Sequence, residues 1–345
     1  MYNEKEVIKI NEQVIDYLQQ LIDQNIIPGA RVAIINATQE EEFQLGNRIA
    51  IPKRESFSQK EALYDVASLT KVIGTVPLIL QLISQHRLQL TDSVSKFLPE
   101  WQSPQVTVRH LLTHTSDIVG YIPNRNFLSA AELTAGLLGL RAGDKLGQVV
   151  HYQDVNFILL GWIAESLTGQ SIQAAISDRI LRPLHLPNAT FDPNSSPLDV
   201  IPTELDSRRG LIVGQVHDPK TAILGEHSGA AGLFTSLADL TIVAKWLLGQ
   251  TSYPQVVPDE LITACFVDQT PMHSNSRSFG WDLRQERTGN YIVHTGFTGP
   301  LMVIDRVNQR ALILLTNRVN LFSTRQEYKQ YRERLTQIFM QTKKD

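Results

Sequence analysis

The sequence predicts an α+β fold, in which an antiparallel β-sheet flanked by the two terminal helices packs against an inserted all-helical domain. Two observations predict it. Short apolar runs typical of strands occur near both ends of the 345-residue chain, whereas the middle shows short helical patterns separated by proline-containing loops. We therefore expect a sheet domain over residues 1–65 and 210–345, a helical domain over residues 66–209, and an active site at their junction.

The first part of the chain begins with a predicted amphipathic helix, because apolar residues recur at three- and four-residue spacing from Val7 to Ile22. Segments 30–36 and 42–51 have the pattern of strands. Residues 68–85 are almost wholly apolar, which is typical of a buried central helix. Pro77 in that segment predicts a kink or a late start of the regular helix.

The last part of the chain changes to short apolar runs separated by turn residues, which predict antiparallel strands at 291–293, 301–304 and 311–315. Residues 287–290 are predicted to form a hairpin turn. A closing helix is predicted over residues 323–340. Its apolar stripe comprises Tyr328, Tyr331, Leu335 and Phe339.

Composition excludes several classes of protein. A hydrophobic content of 42% excludes a disordered chain, and a net charge of −3 gives no basic excess for nucleic acid. The single cysteine, Cys265, excludes an internal disulfide framework and a cysteine-based zinc cluster, and we expect it to be an inert buried thiol. No apolar run approaches about 18 residues, so no membrane span is expected. The N-terminus shows no export signal, which predicts a cytoplasmic location.

The pattern Ser-x-x-Lys occurs at Ser68–Lys71 and at Ser93–Lys96. Ser68 opens the buried helix, so that Ser68 and Lys71 lie on one helix face. Burial is expected to lower the pKa of Lys71 and let it act as a base towards the serine hydroxyl. Ser93 and Lys96 lie in a polar loop, where a solvated lysine is the simpler interpretation.

Two further elements carry candidate chemistry. Tyr152 and Asp154 stand at the start of a predicted helix, where a phenol could relay protons to a nucleophile. The segment His294–Gly299 is predicted to lie in a strand of the C-terminal sheet. Its two glycines, Gly296 and Gly299, are expected to leave the backbone open for an extended substrate beside that strand.

These three elements, in this order, resemble the serine β-lactamase and penicillin-binding-protein superfamily, whose marks are S-x-x-K, Y-x-N or S-x-N, and K-T-G. The resemblance is nearest to the branch of class C β-lactamases, D-alanyl-D-alanine carboxypeptidases and family VIII esterases. It extends over most of the chain. The stretches that carry it further are 111–116 (LLTHTS), 230–236 (AAGLFTS) with Asp239, 279–281 (FGW) and 294–299 (HTGFTG).

The resemblance implies a β-lactamase/transpeptidase-like fold and a role for each matching residue. Ser68 would be the nucleophile, Lys71 its proton acceptor and Tyr152 the partner base. The backbone N–H groups of Ser68 and Phe297 would form the oxyanion hole. The residues implied to bind substrate are Asp154, His294, Thr295 and Gly296.

Two positions depart from the pattern of that branch. Asp154 stands where asparagine is frequent; a carboxylate cannot donate to a substrate carbonyl, and could instead pair with Lys71 and hold it charged. His294 replaces the lysine of K-T-G, and a neutral imidazole binds a substrate carboxylate less strongly than an ammonium does. Both changes weaken the expectation of an efficient β-lactamase and leave acyl transfer through Ser68 intact.

Other candidate sites have simpler explanations. His110 and His114 have the spacing of a zinc helix, but no glutamate stands between them as H-E-x-x-H requires, so no metal and no cofactor are expected. Residues 225–229 place the serine one position too late for a G-x-S-x-G elbow and are expected to frame the site. The basic side chains of the last helix are expected to be solvated. They are Arg325, Lys329, Arg332 and Arg334.

The expected function is hydrolysis of an ester or amide through an acyl-enzyme on Ser68, of carboxylesterase or D-aminoacyl-peptidase/carboxypeptidase type. The alternatives are a true β-lactamase and a penicillin-binding or sensor module that does not turn over. The expected partner is a small ester, peptide or lactam substrate, with no nucleic acid. Oligomeric state is not predicted.

Overall fold

The structure is a computed structural model that describes residues 4–37, 39–58, 61–274, 276–321 and 324–341. Within these ranges it contains ten α-helices, which are α1 (Glu4–Asp23), α2 (Val76–Ser84), α3 (Val108–Leu112), α4 (Ala130–Leu138), α5 (Asp154–Thr168), α6 (Ile172–Ile176), α7 (Pro219–Leu224), α8 (Leu237–Leu248), α9 (Asp259–Ala264) and α10 (Arg325–Met340).

The described part of the chain also contains thirteen strands. They are β1 (Gly29–Ile35), β2 (Glu40–Gly46), β3 (Ala62–Asp65), β4 (Ile118–Val119), β5 (Arg141–Ala142), β6 (Asp199–Val200), β7 (Leu205–Asp206), β8 (Gly210–Leu211), β9 (Phe234–Thr235), β10 (Asp282–Glu286), β11 (Gly289–Thr295), β12 (Leu301–Asp305) and β13 (Arg310–Thr316).

The main sheet is antiparallel and has the strand order β10-β11-β12-β13-β1-β2. The two ends of the chain meet in it where Ala30 of β1 pairs with Thr316 of β13. The predicted α+β class, with one antiparallel sheet built from both termini, is thus confirmed. The hairpin turn predicted at 287–290 is also present, between β10 and β11.

Both faces of this sheet are covered, and β1 is consequently buried along its whole length. Helices α1 and α10 pack on one face, as predicted for the terminal helices. Residues 324–341 of the closing helix region are described, whereas its predicted first residue, Ser323, lies outside the described residues. Helix α8 covers the opposite face by packing on β1, β12 and β13. That second face belongs to the large core that also holds the buried helix predicted from residue 68.

The region between the sheet-forming segments holds α2–α6, together with the two-stranded ribbon β4-β5. A small mixed sheet of order β6-β3-β9 links it to the rest of the chain. The division into two domains at residues 65 and 210 stays a prediction. Across the described residues, none of the helices combines the length and the apolar character that crossing a membrane requires.

Two elements differ in extent from their predictions. Strand β2 ends at Gly46 rather than at residue 51, because Gly46 turns the chain with a φ of +66°. The helix that follows Ser68 is π-helical from Lys71 to Thr75 and becomes a regular α-helix at Val76. This is the late start that Pro77 predicted, since proline fits the first turn of a helix.

Candidate active site

Ser68 lies on a tight turn between β3 and the buried helix. The residue before it, Ala67, has a φ of +47°, a conformation that costs a non-glycine residue about 1–2 kcal/mol. The carboxylate of Asp65 holds this turn by accepting a hydrogen bond from the Ala67 N–H at 2.8 Å. Ser68 is partly exposed while its neighbours Ala67 and Leu69 are buried. The turn therefore presents the serine hydroxyl at the surface of the core.

Lys71 is fully buried behind Ser68, and its ammonium group has three acceptors. Its Nζ lies 3.0 Å from Ser68 Oγ, 2.7 Å from the carbonyl oxygen of Ala230 and 2.9 Å from Asp154 Oδ1. An ammonium has three protons to donate, so each proton has one acceptor. Residues 225–229 lead directly into Ala230, and the loop thus contributes a backbone carbonyl beside the site.

The charge state of Lys71 differs from the sequence-based expectation. Burial alone lowers the pKa of Lys71, but the nearby Asp154 carboxylate and, to a smaller extent, Tyr152 together outweigh it, and the net pKa is raised above the ordinary lysine value. The same ion pair holds the pKa of Asp154 well below its ordinary value, although burial alone would raise it. The expected lowering of the Lys71 pKa is therefore wrong, because the buried lysine has a partly buried counter-ion.

Asp154 also binds a second lysine that sequence reasoning missed. Its Oδ2 lies 3.1 Å from Nζ of Lys220, and Lys220 lies 3.1 Å from Asp218 Oδ2. Lys71, Asp154, Lys220 and Asp218 thus form a row of alternating charges, which we call the charge row. No local sequence signal marks Lys220, because only the fold brings α7 beside the start of α5.

Tyr152 lies two residues before the start of α5, with its ring centroid 5.4 Å from Nζ of Lys71. Among the described residues, its buried hydroxyl oxygen has no hydrogen-bond partner. The Tyr152 ring packs on the imidazole of His114, with 4.4 Å between the ring centroids. Asn156, near the start of α5, places its Nδ2 2.9 Å from His114 Nδ1. The guanidinium carbon of Arg277 lies 5.4 Å from the centroid of the Tyr152 ring. The segment 111–116 thus packs against the Tyr152 ring through His114.

His294 lies in β11 with its side chain buried beside Tyr152 and Trp281, at ring-centroid distances of 6.1 and 6.0 Å. Burial, followed by the cations Lys71, Arg277 and Arg332, holds the pKa of His294 well below its ordinary value. Both ring nitrogens lack a hydrogen-bond partner among the described residues. The imidazole is therefore neutral at pH 7.

The segment after His294 is only partly a strand. Thr295 is the last residue of β11, and residues 296–299 form the turn into β12. A Cβ on Gly296 would lie 2.6 Å from the carbonyl oxygen of Val66, and one on Gly299 would lie 2.6 Å from that of Thr316. The two glycines are thus required by close backbone packing, and the expectation that they leave the strand open to substrate stays a prediction.

Three side-chain hydrogen bonds fix this turn, one from Thr298 within it and two from elsewhere in the fold. Thr298 Oγ1 donates to the carbonyl oxygen of Asp65 at 2.7 Å, which links the turn to the strand before Ser68. Arg318 Nε donates to the carbonyl oxygen of Phe297 at 2.8 Å, and Arg332 Nη1 donates to that of Gly296 at 2.7 Å. Arg332 is therefore not simply solvated, as sequence reasoning expected, because α10 passes directly behind the turn.

The remaining candidates lie elsewhere. Ser93 and Lys96 form a capped surface turn in which Lys96 pairs with Asp92 at 2.7 Å. His110 caps α3 through Thr107. Cys265 is buried, and burial raises the pKa of its thiol to about 12. Within the described ranges, no group of three or more His, Cys, Asp or Glu side chains is arranged to hold a metal ion.

Lys71 therefore contacts both Ser68 and Asp154, and Tyr152 and His294 pack around this group. Thr295, at the end of β11, leads into the turn that holds Gly296 and Phe297. Sequence reasoning missed Asp65 and Lys220. Asp65 has no recognisable motif, and one of its two backbone partners, the His217 N–H at 2.7 Å, comes from a distant loop.

Comparisons with known proteins identify similar chains. A family model described as Beta-lactamase matches residues 14–336. A protein of Escherichia coli (strain K12) named "Putative D-alanyl-D-alanine carboxypeptidase" is 27% identical over 300 residues, which cover 74% of this chain and 69% of that protein.

Solved structures share the fold over nearly the whole chain. A class C β-lactamase superposes with a TM-score of 0.78 at 20% identity, covering 99% of both chains. A β-lactamase/D-alanine carboxypeptidase from Pseudomonas syringae gives a TM-score of 0.76 at 16% identity, covering 98% of this chain and 100% of that one. An octameric penicillin-binding protein homologue from Pyrococcus abyssi gives 0.71 at 21% identity, covering 96% and 77%.

Proposed function

The chain belongs to the β-lactamase family of serine hydrolases, and from this premise we propose that it hydrolyses an ester or amide through an acyl-enzyme on Ser68. The observation that carries the proposal is the 3.0 Å contact between Ser68 Oγ and Nζ of the fully buried Lys71. A buried cation that donates to a hydroxyl oxygen favours the alkoxide that must form there.

In the acylation step, Ser68 Oγ attacks the substrate carbonyl carbon and loses its proton. Lys71, held as an ammonium by Asp154, has no free lone pair with which to take that proton. We assign the acceptor role to Tyr152, whose hydroxyl group can accept a proton at oxygen while passing its own proton onward, and whose oxygen has no other partner among the described residues. The proton then passes to the leaving oxygen or nitrogen as the carbonyl re-forms.

The backbone N–H groups of Ser68 and Phe297 are the proposed donors to the tetrahedral oxyanion. Arg318 and Thr298 support this role, because they fix the turn that carries Phe297 against the strand leading to Ser68. Each donor of such a pair contributes about 2.7–4 kcal/mol to transition-state stabilisation. In the acyl-enzyme, a water molecule replaces the leaving group and the same steps run in reverse.

The polar character of the site favours an ester or peptide substrate of the carboxylesterase or D-aminoacyl-peptidase/carboxypeptidase type. His294 is buried and neutral, so a substrate carboxylate finds no ammonium at this position of β11. Asp154 uses both of its oxygens on lysines. Thr295 and Gly296 are proposed to line the substrate beside them. The cytoplasmic location stays a prediction from the sequence.

The test is the intact-protein mass after brief mixing with p-nitrophenyl acetate and, separately, with a penicillin. We expect a transient acetyl adduct with release of nitrophenol, little penicillin adduct, and neither product with Ser68→Ala. Rapid release of hydrolysed penicillin would instead indicate a β-lactamase, and a long-lived penicillin adduct would indicate a binding or sensor module. An adduct that persists in Ser68→Ala would contradict the assignment of the nucleophile.

A further inference from the structure

Helix α10 contacts the turn that follows β11 with two side chains of one helix face. Arg332 Nη1 donates to the carbonyl oxygen of Gly296 at 2.7 Å and to that of Pro300 at 3.2 Å. Tyr328 lies four residues earlier, and its hydroxyl donates to the carbonyl oxygen of Gly299 at 3.1 Å. Helix α10 thus holds this turn at three carbonyl groups.

The carbonyl group of Gly296 belongs to the same peptide unit as the N–H group of Phe297. Among the described residues, the one cis peptide bond precedes Pro52, so the unit between Gly296 and Phe297 is trans. The C=O and N–H groups of a trans peptide point in opposite directions within one plane. The hydrogen bond from Arg332 therefore fixes the direction of the Phe297 N–H, which points away from α10.

The chain segment that leads to Ser68 lies against the same turn. The hydroxyl of Thr298 donates to the carbonyl oxygen of Asp65 at 2.7 Å. The backbone of Gly296 approaches this segment so closely that a Cβ there would lie 2.6 Å from the carbonyl oxygen of Val66. The turn is thus joined both to α10 and to the segment that carries the proposed nucleophile.

The donor to the Gly296 carbonyl is a cation. A guanidinium stays charged at every pH at which proteins fold, and hydrogen bonds from charged donors are about twice as strong as neutral ones. Hydrogen-bonded groups in a chain polarise one another, so a cation on the carbonyl oxygen makes the N–H of the same peptide a stronger donor. Such a donor favours a negative charge that develops in front of it.

We propose that Arg332 is a positioning residue of the oxyanion hole, which orients and polarises the peptide whose N–H group, that of Phe297, donates to the tetrahedral oxyanion. This inference rests on the proposed acyl transfer to Ser68. The contribution of Arg332 is greatest in the transition state, where the substrate oxygen becomes an oxyanion. Loss of Arg332 should therefore lower the acylation rate at saturation and leave KM nearly unchanged.

The experiment compares the burst of nitrophenol from p-nitrophenyl acetate with that from its thiono analogue, in which sulfur replaces the carbonyl oxygen. Sulfur is a weak hydrogen-bond acceptor, so donors to the oxyanion matter less for the thionoester. We expect Arg332→Met to lower the burst rate constant of the oxygen ester about ten- to a hundredfold, and that of the thionoester by a smaller factor. Arg332→Lys keeps the cation without the planar fork of donors, and should change the ratio of the two rate constants in the same direction but less.

Arg306→Met is the matched control, because Arg306 also donates to a backbone carbonyl, that of Leu247 at 3.2 Å, beyond the end of β12 that is remote from the turn. This variant should keep both rate constants. Tyr328→Phe removes the neighbouring hydrogen bond to Gly299, whose carbonyl belongs to a different peptide unit, and should keep the ratio.

Equal losses for the two esters in Arg332→Met would mean that this arginine acts through general structure, and unchanged rate constants would mean that it does not act on the reaction. A change of ratio in Tyr328→Phe as large as that in Arg332→Met would mean that any loosening of the turn has the same effect. Each of these results overturns the inference and leaves the proposed function intact. If the wild-type protein forms no acyl-enzyme with either ester, the proposed function fails, and the inference fails with it.

Discussion

Asp154 and Lys71 form an ion pair of unequal burial: Oδ1 and Nζ lie 2.9 Å apart, the lysine side chain is 0% exposed and that of the aspartate is 29% exposed. The carboxylate thus neutralises a cation that has no access to water. This pairing keeps Lys71 protonated beside Ser68, and in the mechanism we propose Lys71 stabilises the serine oxygen rather than accepting its proton.

Replacing Asp154 by asparagine should destabilise the fold by roughly 1–3 kcal/mol at pH 7, because a buried ammonium loses its counter-ion. The lowered pKa of Asp154 makes the pair stabilising above the unfolded carboxyl pKa, and the raised pKa of Lys71 makes it stabilising below the unfolded lysine pKa. Urea unfolding should therefore show a constant difference between wild type and Asp154→Asn from about pH 5 to 9. The difference should shrink below about pH 4; a difference that grows on acidification would contradict the ion pair.

Tyr152→Phe should lower kcat by about 10²–10⁴, because it removes the proposed proton acceptor. The fold should be retained, since the Tyr152 hydroxyl has no hydrogen-bond partner among the described residues. Single-turnover acylation by p-nitrophenyl acetate measures the effect directly. Tyr291→Phe is the control, because Tyr291 lies on the same strand as His294 but packs among the residues under the terminal helices. A loss below tenfold in Tyr152→Phe would assign the base to another group.

Asp65→Asn should lower kcat about ten- to a hundredfold without abolishing acylation, because Asp65 positions the turn that carries Ser68. Its two carboxylate oxygens accept from the N–H groups of Ala67 and His217, and an asparagine can accept at one of these places only. KM should change less than kcat. The size of the nitrophenol burst gives the concentration of active sites. Dividing each rate by that concentration corrects it for the fraction of folded enzyme.

The control for Asp65 is Asp305→Asn, a change of another buried aspartate at the far end of β12, where it pairs with Arg310 Nε at 2.9 Å. This variant should lose stability and keep its kcat per titrated site. Equal kcat losses in the two variants would mean that Asp65 acts through general stability alone.

His294→Gln should make stability less sensitive to acid. The pKa of His294 is lowered in the folded protein, so below about pH 6.5 the unfolded chain binds a proton that the folded chain excludes. Wild-type stability should then fall by up to about 1.4 kcal/mol per pH unit more than that of the variant. Urea unfolding at pH 7.5 and 5.5 measures this, and parallel losses in the two proteins would show that His294 is not held neutral.

The sequence by itself determined the local elements and the order of the reactive ones. Alternating and periodic apolar residues specify the strands and terminal helices, because each element must bury one face or one stripe. The spacing of Ser68 and Lys71 is likewise a local property, since residues three apart share a helix face. The likeness of the segments around Tyr152 and His294 to those of the β-lactamase family followed from the same local patterns.

Tertiary structure alone decided the electrostatics of the site. Burial predicts a lowered pKa for Lys71, and the approach of Asp154, together with Tyr152, reverses the sign. Lys220 and Asp65 carry no motif, and the contacts that define them join segments far apart in the chain, as in the hydrogen bond from His217 to Asp65 across 152 residues. A charge interacts through space, so its partners depend on the packing of the whole chain rather than on spacing along it.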